Sequence, residues 1–223
     1  MHVAKDNVNG NPNVGLYGLV TDDYVLLGKE VPESKDKTVK AIFNKDIARI
    51  TIAGTSLINV FCVWHNNTLL VPSITFDHEK EALTKLGIDY EVIETELTCL
   101  GNNILLTEKR ALLNPDFKAK TVEKLKEVLR LPCEQTTIME VEAIGSIGVI
   151  RNNKGLFHRD IPPVRVRELE KSLGVDITLG TVNMGSPYVK SGILLGEEGF
   201  LIGDTSGGPE VKNADEALGF IEV

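Results

Sequence analysis

The chain is poor in residues that cross-link a protein or anchor it in a membrane. Its three cysteines, Cys62, Cys99 and Cys133, are odd in number and share no paired spacing. This argues against a disulfide framework and a zinc site, and it predicts a reducing, cytoplasmic setting. No apolar run approaches the roughly 18 residues of a membrane span, and the first residues lack the apolar core of a signal peptide. We therefore expect a protein with no membrane partner.

Positive charge is also scarce. The net charge of -8 argues against broad affinity for nucleic acid, and so against free DNA as a partner. It is compatible with a local basic patch or a protein partner. At 223 residues the chain can bury a large core, and no linker, charge block or low-complexity tract divides it. The sequence predicts one domain, 1–223.

What the chain does contain is an internal repeat, which is clearest in residues 144–182. There a β-hairpin is predicted across the polar turn Arg151–Gly155. A helix is predicted to begin after Pro162 and to end at Gly174, and a strand follows at Val175–Leu179. The predicted unit is strand, strand, helix, strand.

Two sets of positions, the predicted helix ends and the markers of the outgoing hairpin strands, recur along the chain. In both sets the successive separations are 43, 43, 44 and 45 residues. A fixed period of this length is the expected mark of a repeat architecture. The residue after each helix should take a left-handed conformation, which Gly and Asn tolerate, so Arg130 is an exception. The helix ends are Phe43, Leu86, Leu129, Leu173 and Leu218, and the outgoing hairpin strands are marked by Leu27, Leu70, Leu113, Phe157 and Ile202.

Five such units favour a closed ring. One unit cannot bury its own apolar face, so its neighbours must cover it, and the terminal units show no polar capping pattern that would suit an open stack. The predicted fold is α/β (α+β), a five-bladed α/β propeller of five ββαβ units with pseudo-five-fold symmetry. Residues 1–13 would help to close the ring, with a strand at Met1–Lys5, and the repeats are predicted at 14–56, 57–99, 100–143, 144–188 and 189–223.

The same pattern predicts the remaining helices and third strands. The helices are Lys37–Phe43, His78–Leu86, Lys118–Leu129 and Val211–Leu218, and Asp77 is predicted to cap the second of these. The third strands are Ala48–Ile52, Tyr90–Ile93 and Cys133–Ile138.

Candidate catalytic motifs are weak. The segment Gly203–Pro209 resembles the nucleophile loop of trypsin-like proteases, but the inserted Thr205 breaks its register. Five-fold rings of ββαβ units also occur in guanidine-modifying pentein hydrolases, which use a nucleophilic Cys late in the chain. Here the last cysteine is Cys133, in the third unit, and Cys99 is the only cysteine near a loop. An enzyme of that kind is the alternative hypothesis.

The loops that join one unit to the next are uncharged and rich in Gly, Thr, Ser and Asn. A closed ring would bring them together on one face about the axis. They would form a flat, weakly polar surface suited to a protein or ribonucleoprotein partner. The loops include Thr51–Thr55, Leu97–Asn103, Ile144–Ser146 and Gly180–Ser186.

The chain resembles the translation initiation factor 6 family, the ribosome anti-association factors. The resemblance runs the full length and is carried by Thr51–Thr55, Leu97–Asn102, Gly180–Gly185 and Gly207–Glu210. It implies a pentein fold and a protein that is not an enzyme and needs no cofactor. It also implies a cytoplasmic monomer that binds the large ribosomal subunit where the small subunit docks. The expected contacts are ribosomal proteins beside the sarcin-ricin loop, or ribosomal RNA there.

The family also implies roles in translation initiation and in late large-subunit maturation. Because no tail follows Val223, the resemblance is to archaeal-type members. Asn59, Val60 and Lys190 depart from the family pattern. The resemblance and the junction loops together predict ribosome contacts at Gly15, Leu57, Ile58, Asn59, Val60, Leu100, Gly101, Asn102, Asn103, Ile144, Gly145, Ser146, Asn183, Val189, Lys190 and Ser191.

A short loop with Asn102 at its tip can offer both a donor and an acceptor to a partner. We expect Asn102→Ser, or a charge introduced at Gly15, to weaken subunit binding while leaving the fold intact.

Overall fold

The computed structural model describes residues 1–221, so Glu222 and Val223 lie outside the described residues. Fifteen strands form five sheets of three strands each. The strands are β1 Val3–Asp6, β2 Gly18–Val20, β3 Tyr24–Gly28, β4 Asp46–Ile50, β5 Val63–His65, β6 Thr68–Pro72, β7 Asp89–Ile93, β8 Ile104–Leu106, β9 Ala111–Leu113, β10 Cys133–Gln135, β11 Gly148–Arg151, β12 Lys154–His158, β13 Asp176–Gly180, β14 Ile193–Leu195 and β15 Phe200–Gly203.

Each sheet is paired with one long helix. The five helices are α1 Asp36–Phe43, α2 Asp77–Lys85, α3 Ala119–Leu129, α4 Pro163–Leu173 and α5 Gly208–Ala217. None of the helices in residues 1–221 has both the length and the apolar composition to cross a membrane.

Every unit has the same strand pairing. The first two strands form an antiparallel hairpin, as in β11 and β12, and the third strand pairs parallel with the second, as in β12 and β13. A parallel connection requires a crossover, which the helix supplies. In the fifth unit the third strand is β1, which pairs parallel with β15. The N-terminal segment therefore closes the ring.

Several predicted boundaries shift by one to three residues. The strand predicted at Ala48–Ile52 is observed at Asp46–Ile50, and the strand predicted at Cys133–Ile138 ends at Gln135. Ile52 and Ile138 instead pair across tight turns with Thr55 and Val141. In the sequence Ile52 and Ile138 continue the apolar alternation of the strand, so the strand was predicted to include them. In the structure they belong to the junction between units.

The predicted cap of helix α2 is wrong by one residue. The N-cap position is Phe76, and Asp77 is the first helical residue. The backbone N–H of Phe76 donates to the carboxylate of Glu79 at 3.0 Å, so Glu79 closes the helix start. A capping carboxylate three residues inside the helix performs part of the function that was assigned to Asp77.

The repeat marker Leu70 is also displaced by one residue. Leu27, Leu113 and Phe157 pack into the core of their own unit, whereas Leu70 packs into the core of the following unit. The residue of the second unit that points to its own core is Val71. Because side chains alternate along a strand, a shift of one residue reverses the face. With Val71 in place of Leu70, the separations between the five equivalent positions are 44, 42, 44 and 45 residues.

All five helices are followed by a residue in the left-handed conformation. Gly87, Gly174 and Gly219 have φ between +69° and +71°, and Asn44 has φ +50°. Arg130, the exception in the sequence, adopts the same conformation with φ +55°. The position in the repeat therefore determines the left-handed backbone conformation, even where the residue is arginine.

The ring has two distinct faces. Strand directions place the junctions between units, the ends of the second and third strands and the helix N-termini on one face, here called the junction face. The hairpin tips and the helix C-termini lie on the opposite hairpin face. The apolar core is divided into five clusters, each between two neighbouring sheets, for example Leu19 and Leu26 of the first unit with Leu69 and Leu83 of the second.

Candidate functional site

Each unit begins with a short helical turn next to the axis of the ring. We call these five segments the axial turns. They are Val14–Leu16, Ile58–Phe61, Leu100–Asn103, Ile144–Ser146 and Val189–Gly192. The structure brings together the predicted contact residues there, because all of them except Leu57 and Asn183 lie within these turns and those two lie in adjoining segments.

One position in each axial turn faces the preceding turn. These five equivalent residues form what we call the axial pentagon. Where the residue is glycine, the backbones approach closely: a Cβ on Gly15 would lie 2.1 Å from the carbonyl oxygen of Lys190, and a Cβ on Gly101 would lie 2.0 Å from that of Asn59. The members of the pentagon are Gly15, Asn59, Gly101, Gly145 and Lys190.

This geometry contradicts one expectation from the sequence. A charged side chain at Gly15 cannot leave the fold intact, because its first carbon would overlap main-chain atoms of the fifth unit. Backbone atoms cannot give way as the end of a flexible side chain can. A substitution at Gly15 therefore tests stability before it tests binding.

The two members of the pentagon with side chains both donate to backbone carbonyl oxygens of other units. Asn59 donates through Nδ2 to the carbonyl oxygen of Gly15 at 2.9 Å, which joins the first two units. Lys190 donates through Nζ to the carbonyl oxygen of Gly101 at 2.5 Å. The fifth and third units are not neighbours in the ring, so the lysine side chain crosses the axis.

The centre of the pentagon is a poorly solvated place for a charge. Burial lowers the pKa of Lys190 to about 8, against a smaller opposing effect of Cys62. Burial also raises the pKa of the Cys62 thiol, so Cys62 stays neutral at neutral pH. Lys190 is therefore a destabilised cation with no ionised partner in the pentagon.

A shallow depression of about 390 Å³ lies over the pentagon on the junction face. Apart from Lys190 its lining residues are uncharged, and they include the apolar Leu16 beside several polar side chains. Sequence reasoning missed Asn13, Leu16 and Tyr188, and it placed Ser186 in a junction loop without predicting it as a contact. Tyr188 carried a signal, since a large aromatic residue stood alone in a loop of small polar residues. The predicted residues that line the depression are Gly15, Asn59, Asn102, Ser146, Lys190 and Ser191.

The predicted contact residues differ in exposure. Half-exposed members, whose side chains can reach a partner, are Leu57, Asn59, Asn102, Ser146, Asn183 and Ser191. Lys190 is also half-exposed as a residue, but its ammonium turns inwards to the carbonyl oxygen of Gly101. The other predicted residues are buried and pack inside the axial turns. Their side chains are therefore not available for contact with a partner. They are Gly15, Ile58, Val60, Leu100, Gly101, Asn103, Ile144, Gly145 and Val189.

Tight turns join the units on the junction face. Several of their central residues have positive φ although they are not glycine, including Ala53 at +52°, Met139 at +56° and Met184 at +62°. Such conformations are uncommon for residues with a side chain and persist only where surrounding contacts enforce them.

Two carboxylates, the buried Glu79 and the half-buried Glu210, enforce two of the turns. Glu79 accepts hydrogen bonds from the backbone N–H groups of Ala53 and Gly54 at 2.8 and 2.9 Å. Glu210 of helix α5 does the same for Met184 and Gly185 at 3.1 and 2.8 Å. Each carboxylate also accepts from the start of its own helix, and so links a helix to the preceding junction turn.

The protonation of these carboxylates follows from their surroundings. Burial alone would raise the pKa of Glu79, but hydrogen bonds from the Thr51 hydroxyl and three backbone N–H groups outweigh it and lower the pKa. The pKa of Glu210 is lowered in the same way, with Thr181 as the hydroxyl donor. Both groups are ionised at neutral pH.

Large apolar side chains are exposed mainly on the junction face. Met184 is 82% exposed at a junction turn, Phe76 is 51% exposed at the start of helix α2, and Tyr188 is 49% exposed beside the depression. Ile74 and Val164, also on this face, are exposed as well, whereas Met1 lies near the hairpin face. Clustered exposed apolar residues mark interaction surfaces.

The three thiols are poorly suited to nucleophilic chemistry. Burial raises the pKa of Cys62, Cys99 and Cys133, so each is a protonated thiol at neutral pH. A cysteine nucleophile needs the opposite shift, because the thiolate is the reactive form. Within residues 1–221, no three His, Cys, Asp or Glu side chains come together as metal ligands.

Comparison with known proteins decides the family. The model of the eIF-6 family matches residues 3–217. The chain belongs to the eIF-6 family. Translation initiation factor 6 of Pyrococcus horikoshii is 31% identical over 99% of this chain and 100% of that protein, and that of Thermococcus onnurineus is 32% identical over the full length of both. The relative from Saccharolobus islandicus is 30% identical over 98% of this chain and 100% of its own length. The chain is therefore similar to archaeal members of the family.

Solved structures with lower identity confirm the fold. The chain is similar to a dimethylarginine dimethylaminohydrolase adduct, with a TM-score of 0.56, 15% identity, and coverage of 91% of this chain and 71% of the other. A dimethylarginine dimethylaminohydrolase (DDAH) structure from Pseudomonas aeruginosa gives a TM-score of 0.53 and 15% identity, covering 74% and 67%. These are pentein folds, so the predicted five-bladed ring of ββαβ units is confirmed. At this level of sequence identity, the similarity shows only that the fold is shared.

Proposed function

We propose that this eIF-6 family protein acts in the cytoplasm by binding the large ribosomal subunit through its junction face. Bound there, it sterically prevents association with the small subunit. Family membership supports a role in translation initiation, and the proposal extends it to subunit binding, anti-association and late subunit maturation. In this role the protein is a monomer without catalytic activity or cofactor.

The observation that carries the proposal is the uneven distribution of exposed apolar side chains. Of the six large apolar residues exposed in residues 1–221, five lie on the junction face, the face that carries the axial depression, where Lys190 is the one charged lining residue. A surface of this kind suits the core of a protein interface, from which charged residues are depleted. We therefore place the main contact on a ribosomal protein. A contact dominated by RNA would need a basic surface, and the net charge of the chain is -8.

Two matched variants test the face. Met184 and Asn152 are both exposed and both have positive φ, but Met184 lies on the junction face and Asn152 on a hairpin tip. Asp tolerates this backbone conformation, so Met184→Asp and Asn152→Asp should both fold. In co-sedimentation with purified large subunits, we expect Met184→Asp to bind about ten-fold or more weakly, as loss of an apolar anchor predicts. Asn152→Asp should bind like the unmodified chain.

The same preparations test anti-association. Addition of the unmodified protein to separated subunits should lower the fraction of joined ribosomes, and Met184→Asp should lower it less at the same concentration. Equal binding by the two variants would count against the junction face. Unchanged joining of subunits at saturation would count against the anti-association role.

The alternative function is that of a guanidine-modifying hydrolase. The fold is shared with such enzymes, but the raised thiol pKa values disfavour a cysteine nucleophile. The proposal predicts no citrulline release from arginine derivatives. It also predicts that treatment with a thiol reagent leaves subunit binding unchanged. Citrulline release that a thiol reagent abolishes would establish the enzyme instead.

A further inference from the structure

A channel of about 360 Å³ runs along the axis from the pentagon towards the hairpin face. Its wall includes five equivalent half-buried side chains, one from the first strand of each unit, all of them apolar. At its outer end stand exposed polar residues of the hairpin tips, including Asp22 and Glu197. The wall residues are Val20, Trp64, Leu106, Ile150 and Leu195.

The inner end of the channel is polar. Asn59, Cys62, Gly145 and Lys190 line it, and Lys190 also lines the depression on the other side. The Lys190 ammonium has three N–H donors. Within the described residues it donates to one protein acceptor, the carbonyl oxygen of Gly101. The Lys190 ammonium at the end of the apolar channel can therefore donate to further hydrogen-bond acceptors.

We propose that the axial channel is a binding site for a small monocarboxylate with an unbranched apolar body. The carboxylate would bind the Lys190 ammonium, and the chain would lie against the ring of apolar side chains. The size of the channel and its few convergent polar groups are those of small-molecule sites. A carboxylate would also supply the opposite charge that the buried ammonium lacks, because charge-assisted hydrogen bonds are the stronger ones.

The outer end of the channel restricts the ligand to one negative charge. Asp22, Glu108 and Glu197 stand at the hairpin tips, at equivalent positions in three units. The nearby cations are already paired with acids: Lys45 lies 3.5 Å from the carboxylate of Glu198, and Arg151 lies 3.9 Å from that of Glu197. A dicarboxylate of the same length would place its second charge among these acids.

The protonation of Lys190 makes the site dependent on pH. The pKa of Lys190 is about 8 because of burial, so its ammonium is mostly charged at pH 7 and neutral at pH 9.5. Cys62 is the titratable side chain beside it, and burial raises the pKa of that thiol. The other pentagon residues, Gly15, Asn59, Gly101 and Gly145, are uncharged. Carboxylate binding should therefore weaken as the pH rises through 8.

The chain provides its own probe for this site. Trp64 lies in the channel wall and is the only tryptophan of the chain. We would titrate the full chain with octanoate at pH 7 and follow tryptophan fluorescence. We expect a saturable change, at least ten-fold weaker affinity for octanedioate and for 1-octanol, and a similar loss for octanoate at pH 9.5.

Variants separate the site from nonspecific binding. Lys190→Met should lose octanoate affinity by at least ten-fold, whereas Lys120→Met, an exposed lysine of helix α3, should retain it. Leu106→Phe narrows the channel without touching Lys190 and should also weaken binding, which keeps the test valid if Lys190→Met does not fold. The absence of a saturable change with octanoate overturns the proposal. So does equal affinity for octanoate and 1-octanol, or unchanged octanoate affinity in Leu106→Phe. None of these results bears on subunit binding.

Discussion

The two faces of the ring use glycine for different physical reasons. On the junction face, Gly101 is needed because a Cβ would overlap the main chain of Asn59 at 2.0 Å. On the hairpin face, Gly87 has open space around it but a φ of +71°, which strains any residue with a side chain. Gly101 is therefore constrained by a contact between units and Gly87 by the local conformation at a helix end, whereas Gly54 and Gly185 in the junction turns have positive φ like Gly87.

The faces also differ in what they expose. On the hairpin face, basic groups meet helix C-termini, as His65 does at the carbonyl oxygen of Leu129 (3.1 Å) and Arg151 at that of Leu218 (3.2 Å). The charge of Arg151 complements the helix dipole, whereas burial lowers the pKa of His65, so its ring bonds to Leu129 as a neutral group at pH 7. The junction face has carboxylates at two helix N-termini, which complements the dipole equally well, but it also exposes apolar side chains. The difference shows that apolar exposure on the junction face is not a requirement of the fold.

The largest expected effect tests contact between units. Gly101→Ala should lower the free energy of unfolding by about 3 kcal/mol, since overpacking against a backbone cannot be relieved by a rotamer change. Gly208→Ala, on the same face but with no atom within 4 Å of the added carbon, should leave it unchanged or raise it slightly. Urea unfolding of both variants measures the contrast. Equal stability of the two variants would show that the close approach of Gly101 to the main chain of Asn59 does not exclude a side chain.

The next effect tests the carboxylates of the junction face. Glu79→Gln should lower the free energy of unfolding by about 2 kcal/mol at pH 7, the value typical of hydrogen bonds to a charged group. The folded-state pKa of Glu79 is lowered, so this stability is present above the unfolded pKa of about 4.3 and is lost as the pH falls through the folded pKa.

Glu81→Gln is the control for this prediction, because Glu81 is exposed on the same helix. Its unfolding free energy should match that of the unmodified chain across the pH range. A Glu79→Gln deficit that stays constant below the folded pKa would show that the loss comes from packing and not from the charge.

A smaller effect is expected at the axis. Lys190→Met should raise the free energy of unfolding at pH 7 by about 1 kcal/mol, because a buried ammonium is costly and the loss of its hydrogen bond to Gly101 offsets part of the gain. The folded pKa of about 8 lies below the unfolded value. The unmodified chain therefore gains stability as the pH rises above 8, and the advantage of Lys190→Met should disappear by about pH 10.

The difference in stability between Lys190→Met and the unmodified chain, measured by urea unfolding at pH 7 and pH 10, checks this sign. Lys120→Met should show no pH dependence of that kind. A constant difference at both pH values would mean that Lys190 is not a destabilised cation.

The smallest effect concerns the hairpin face. Arg130→Gly should raise the free energy of unfolding by about 0.5 to 1 kcal/mol, because a left-handed conformation is costly for a residue with a side chain. Arg130→Ala removes the same charge but keeps the conformational cost, so it should not stabilise the protein. Thermal unfolding of the two variants distinguishes conformation from charge. Equal unfolding temperatures would show that the helix end is not strained.

Much of the fold was accessible from the sequence because it depends on local rules repeated five times. The spacing of apolar positions and helix-ending residues predicted five ββαβ units, and the tendency of Gly and Asn to end helices located Asn44, Gly87 and Gly174. The junction loops were recognised because small uncharged residues recur there. The Leu70 marker was misplaced because an adjacent leucine and valine look alike in a pattern, although they face different cores.

The sequence predicted which segments form the site, but not which of their side chains are exposed. Composition identified the axial turns, but it could not separate buried residues such as Ile58 and Val189 from half-exposed ones such as Asn102. Glu79 and Glu210 were missed as turn-binding residues, because their acceptor role depends on a turn that lies 25 or 26 residues away in the chain.

The sequence by itself determined the number of units, their order of elements and the family, since each depends on short-range patterns and motifs. The tertiary structure decided which glycines tolerate no side chain, which carboxylates bind the junction turns and where the side chain of Lys190 ends. The closure of the ring determines these properties. It brings residues from separate units within hydrogen-bonding distance across the axis, and no local pattern in the chain records that approach.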